Sequence, residues 1–178
     1  MFGFALSRFM LLHVPTLKTN LAPGEWYHMR TSLYKPAILI HLATVLPAGI
    51  LAVLQFIPII RYRALIVHRI CGYIAVFLLV LGVATGFVLG RRSFGGDISI
   101  QTGVIFLGVS TLVSVALAYW NIKLLQIDQH RKWMLRTWFY ASSIITLRIL
   151  MIITAQIISA MNQYYFVRRA LTAFVRMY

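Results

Sequence analysis

Hydrophobic residues run along this chain in four long blocks, separated by short clusters of basic and turn-forming residues. The first block, PAILIHLATVLPAGILAVLQFIPII, covers residues 36 to 60 and is closed by Arg61 and Arg63. The second opens near Leu65 and runs to Gly90, where Arg91 and Arg92 stop it. The third extends from about Ile98 to Leu125, and the fourth from Thr137 to about Met161. A run of about 20 apolar residues is long enough to cross a bilayer as a helix. The blocks are continuous and lack the period-two alternation of a barrel strand, so each predicts a membrane helix. Gly95, Gly96 and Asp97 mark a turn with a helix cap before the third span. Asp128 is the expected cap of a helix that starts ahead of the fourth apolar block. Pro47 inside the first block is tolerable in a membrane helix.

The fold class that follows is all-α: a polytopic membrane protein built as a four-helix transmembrane bundle. Residues 1–35 form an N-terminal interfacial segment, 36–161 the four-span membrane domain, and 162–178 a basic amphipathic tail suited to a membrane surface. MFGFALSRFMLLHV is too short to span and lacks the pattern of a signal peptide. The aromatic segment GEWYHMR, Gly24 to Arg30, suits the membrane interface.

Composition sharpens this reading. The chain has 178 residues, 61% hydrophobic and 11% charged, which a soluble core of this size does not bury. Net charge is +14, which in a polar chain would suggest nucleic acid. In this chain it is flanking charge on membrane spans, and the expected partner is a lipid bilayer. Nine basic residues fall on the side of the termini, seven on the other side, and Arg148 inside a span. That difference does not orient the chain. Cys71 is alone, so no disulfide or thiolate cluster forms within the chain.

Gly82, Gly86 and Gly90 recur every fourth residue, as do Ser110, Ser114 and Ala118. Small residues at this spacing let helices approach closely in lipid. Polar groups inside spans are costly and therefore candidates for function. No span contains a carboxylate, so His41, Gln55, His68, Gln101, Arg148 and Gln156 are the ones to explain. His68, in the second helix, and His130, at the start of the fourth, lie on the same side of the membrane. Two such histidines are what axial ligation of haem b needs, with Arg69, Arg131 and Arg136 as propionate partners. Both histidines could equally be interfacial residues beside basic headgroup contacts. Arg148 lies near the bilayer centre with no acid to pair with. Its expected partners are span amides and threonines, or a quinone-like or anionic small molecule. His41 could share that pocket or be a hydrogen-bonded structural residue.

The strings IHLATVLPAGILAVLQF, HRICGY, RRSFGGD, NIKLLQIDQHRKWMLRTWFY and ITLRI, in this order, resemble the predicted membrane-protein family catalogued as domain of unknown function 2306, and are most similar to its fungal members. The resemblance implies a multi-span helical protein and brings no activity with it. Its recurrent polar positions fall on His41, Gln55, His68, Arg69, His130, Trp133, Arg136 and Arg148. The leading expectation is therefore a membrane redox or cofactor-binding protein. The alternative is a non-catalytic membrane protein with a structural, lipid-binding or subunit-binding role.

Overall fold

The computed structural model describes residues 33–92 and 97–177, with side chains among them except at 148, 151–152 and 166–177. The interfacial segment expected before residue 33, the Gly95–Gly96 turn, and the side chains of Arg148, Arg168, Arg169 and Arg176 lie outside the described residues. The described chain is helical with no strand: α1 (Tyr34–Phe56), α2 (Pro58–Arg63), α3 (Leu65–Gly90), α4 (Ile98–Lys123) and α5 (Ile127–Met177). Of these, α1, α3 and α4 are each long and apolar enough to cross a membrane. The fourth apolar block lies within α5, a continuous helix of 51 residues. One compact unit ends at Ala141 and a second begins at Ser142.

The first block does not remain one helix. Ile57 is extended (φ −74°, ψ 115°), and α2 restarts with Pro58 in its first turn. A proline ring clashes with a helical residue before it, so Pro58 ends α1 one residue earlier and serves as a helix start. Four residues of the block, Ile57 to Ile60, therefore belong to the turn and not to the span.

The α4–α5 connection closes without glycine. Gln126 N–H bonds the Asn121 carbonyl (2.9 Å) and Leu125 N–H bonds that of Ile122 (3.1 Å). This is the paired hydrogen bonding of a Schellman cap, with Leu125 in the left-handed region at φ 59°. A leucine in that region is strained, and the two bonds hold it there. Asp128 sits within the first turn of α5 and not at its cap. There its charge still complements the helix dipole.

Asp97 does cap α4, accepting from the Ser99 backbone N–H and hydroxyl. The Ser99 hydroxyl, then the Ser99 and Ile98 amides, hold its carboxyl below the usual range. A lowered folded value makes the cap complete above the unfolded value near ~3.9, and it is lost as pH falls through the folded value. Acidification from neutral pH should therefore fray the start of α4, read as faster exchange of the amides after Asp97. Asp97→Asn should remove most of that pH dependence while keeping a cap. Equal acid fraying in both proteins would remove Asp97 as the cause.

Small residues fill the interior. The buried positions of these three helices are Ala37, Thr44, Leu46, Ala48 and Ala52 on α1, Ala75, Leu79, Gly82, Leu89 and Gly90 on α3, and Thr111, Ser114, Val115 and Ala118 on α4, most of them small. Large apolar side chains point outward instead; Phe77 is 63% exposed and Phe106 69%. In water such a surface would aggregate, whereas lipid tails are as apolar as the side chains they meet. Close approach follows from the glycines. A Cβ on Gly82 would come within 2.5 Å of Val45, and one on Gly90 within 2.8 Å of Val104. The expected small-residue face of α3 thus packs against α1 at Gly82 and against α4 at Gly90.

Candidate functional site

Four helices bring polar groups to one end of the first unit. Gln55 lies in the last turn of α1, His68 in the first turn of α3, Ala118 near the end of α4, and His130 in the first turn of α5. Antiparallel helices bring together residues equally far from their connecting turn. Gln55 and His68 are equidistant from a point between Arg61 and Tyr62. His41 and Gly82 share that centre, and Ala118 and His130 are equidistant from Leu124.

Each histidine is held by its Nδ1. One orientation of the Gln55 amide satisfies its surroundings: the NH2 group donates to the His68 carbonyl (3.1 Å) and His68 Nδ1 (2.8 Å), and the oxygen accepts from Gly72 N–H (3.3 Å). Amide orientation follows from the network it completes. His68 Nδ1 is then an acceptor, so the neutral ring carries its proton on Nε2. His130 is set the other way. Its Nδ1 lies 2.8 Å from the Ala118 carbonyl, which only accepts. In the neutral ring Nδ1 therefore holds the proton, and Nε2 keeps a lone pair. Both rings are half-buried and within electrostatic reach of each other, with Arg61 and Arg69 also acting on His68.

The remaining expected residues fall around this pair. Arg69, Arg131 and Arg136 are exposed. Arg136 stacks its guanidinium 4.4 Å from the centre of the Trp133 ring, an arrangement that anchors both at a membrane interface. Arg131 lines a shallow cleft of about 310 Å³ with Asp128, Lys132 and Leu135. His41 stands apart, toward the opposite end of α1. Its Nδ1 donates to the Gly82 carbonyl (2.9 Å) and lies 3.1 Å from Thr85 Oγ1. The Thr85 hydroxyl is itself directed to the Leu81 and Gly82 carbonyls. His41 thus clamps α1 to the glycine face of α3. The helix carrying Arg148 is continuous with that carrying His130, but the Arg148 side chain is outside the described set.

The sequence offered Gln55 as one of several partners for Arg148, whose side chain lies outside the described residues; it did not point to the contact of Gln55 with His68 or to the Ala118 carbonyl. The signal for Gln55 was its symmetry with His68 about the α2 turn. A backbone carbonyl has no residue-type signal.

For haem b, both axial nitrogens must be unprotonated. His130 meets that condition as it stands. His68 meets it only with the Gln55 amide turned over, which sets its oxygen against the His68 carbonyl and its NH2 against Gly72 N–H. Among the described residues, no three His, Cys, Asp or Glu side chains gather where a metal ion could be held.

Spans with outward-facing large apolar side chains, a small-residue interior and polar groups paired between helices define an integral, multi-pass membrane protein. The chain belongs to the family described as predicted membrane protein (DUF2306), whose family model matches residues 38–177. No curated protein matches the chain. No solved structure matches it either.

Proposed function

We propose that the His68–His130 pair binds a small membrane-soluble molecule bearing a carbonyl or phenolic hydroxyl, a quinone-like ligand, at the membrane interface. One observation carries the reading: the two rings are set in opposite tautomers. His68 offers an Nε2–H donor and His130 an Nε2 acceptor. A quinone carbonyl accepts from the first, and a phenolic hydroxyl donates to the second. Gln55 is a positioning residue that keeps His68 in its donor form. The indole of Trp133 and the exposed apolar side chains at this end provide an apolar approach from the lipid. Haem b is the second reading, favoured by the His130 Nδ1–H bond to the Ala118 carbonyl, which is the usual support of a ligating imidazole.

Both are tested on one preparation, purified in lipid nanodiscs from haem-supplied cells. A short-chain benzoquinone and its quinol are each titrated in and followed by quenching of tryptophan fluorescence. Quenching should saturate. His68→Ala should weaken binding of both about tenfold, the worth of one or two hydrogen bonds in a partly desolvated site. His130→Ala should do the same to the quinol, the form with a hydroxyl to donate. Gln55→Leu should weaken binding less while leaving the fold intact. A Soret band that disappears in His130→Ala would replace the quinone reading with the haem one. Unsaturable quenching, or binding indifferent to both histidine substitutions, would leave the pair as ties between helices.

A further inference from the structure

Four helices of the first unit carry basic side chains to the end of the bundle where Gln55 meets His68 and Ala118 meets His130. Arg61 and Arg63 lie on α2, Arg69 on α3, Lys123 on α4, and three more on α5. Asp128 is the one acid at this end among the described residues. The whole chain has three acidic side chains. Asp97 opens α4 at the opposite end, about 39 Å away over 26 residues at ~1.5 Å each. Glu25 lies outside the described residues. Wherever Glu25 sits, two acids at most face seven cations, so most of the counter-charge comes from outside the chain.

Three of these cations are held at a definite depth. Arg61 lies 4.8 Å from the centre of the Tyr62 ring, Lys123 5.4 Å from that of Tyr119, and Arg136 4.4 Å from that of Trp133. Tyrosine and tryptophan settle at the head-group level of a bilayer, so cations stacked on them stay among the lipid phosphates. Beside them is the cleft of about 310 Å³ lined by Asp128, Arg131, Lys132 and Leu135. A guanidinium fork and an ammonium on adjacent residues suit one phosphate. Leu135 lies a turn nearer the fourth apolar block and offers apolar surface to the start of an acyl chain. Asp128, a turn nearer the water, accepts from a head-group hydroxyl and repels a second acidic group. We propose that this cleft binds an anionic phospholipid with a hydroxylated head group, of the phosphatidylglycerol kind. Its phosphate sits between Arg131 and Lys132, and its chains run past Leu135.

The test uses the full chain in phosphatidylcholine nanodiscs, with brominated lipids of each head group added to quench tryptophan fluorescence. Phosphatidylglycerol should quench at lower mole fraction than phosphatidylcholine or phosphatidylethanolamine, and the preference should shrink as salt is raised. Arg131→Gln or Lys132→Gln should lower it roughly fivefold, the worth of one basic residue near an anionic surface. Arg63→Gln removes the same charge at the same end but outside the cleft, and should lower it much less. All three side chains are exposed, so the fold is expected to tolerate each change. Inorganic phosphate at matched ionic strength should not compete, because it has no chain for Leu135 to receive. Displacement by phosphate would overturn the lipid as the ligand. No preference for phosphatidylglycerol, or an equal preference for phosphatidylethanolamine, would overturn the anionic head group. Equal losses at Arg63 and Arg131 would overturn the cleft and leave only charge spread over this end.

Discussion

Replacing Trp138 with alanine should cost this protein about 3–5 kcal/mol, the range for emptying a buried large aromatic site. Trp138 is 5% exposed and packs in a cluster with Ala48, Ala52, Ala75, Leu79 and Val115. Among the described residues it is the one ring in this buried cluster, which is otherwise made largely of small side chains, so those neighbours cannot collapse into the space it leaves. Thr137 beside it is fully buried, its hydroxyl satisfied by the Trp133 carbonyl (3.0 Å). The indole Nε1 is buried without a hydrogen-bond partner among the described residues. Trp138→Phe keeps much of the volume and removes that donor, so it should cost clearly less than the alanine, though not nothing, because part of the indole site is left empty. Reversible unfolding in mixed micelles measures both. If phenylalanine proves as costly as alanine, the N–H has an acceptor, and the packing account of this residue is wrong.

The second large effect is expected at Gly82. A leucine there should destabilise the first unit by about 1–3 kcal/mol through overpacking. Its Cβ alone would meet Val45 Cγ2 at 2.5 Å and the Thr44 hydroxyl at 3.4 Å. Val45 is branched at Cβ and cannot swing aside, so α1 and α3 must separate. Separation also stretches the bond from His41 to the Gly82 carbonyl. Gly103→Leu is the control, because a Cβ there meets nothing within 4 Å. Gly82→Ala combined with Val45→Ala should recover stability relative to Gly82→Ala alone, the coupling expected of residues in direct contact. Additive losses would show that Gly82 matters for some reason other than contact with Val45.

Particular residues show how legible the molecule was in sequence. The limits of α3 and the start of α4 were readable because basic pairs and Asp97 punctuate otherwise uniform apolar runs. The end of α1 was not read correctly, since Ile57 to Ile60 are as apolar as the span itself and only the steric effect of Pro58 separates them. The Leu125 turn gave no signal either. Its left-handed backbone is favoured by glycine, and here two backbone hydrogen bonds hold a leucine in it. Among polar residues, the cost of burial in lipid singled out His41, Gln55 and His68, each of which is hydrogen-bonded to another helix. It could not say which partners they have. His41 and Arg148 looked alike on that criterion, yet His41 is tied to the α3 backbone.

The sequence by itself determined the solvent of this protein and the number and limits of most of its helices. Transfer of a side chain into lipid depends on its own chemistry, and about 20 such residues fix a span. Tertiary structure decided which nitrogen of each histidine carries the proton. That choice is made by a glutamine thirteen residues before His68 and by a backbone carbonyl twelve residues before His130. Hydrogen bonds are short-ranged and directional, so their pairing exists only once antiparallel helices set the register. The opposite tautomers that carry the functional proposal are a property of that register, and no spacing along the chain contains them.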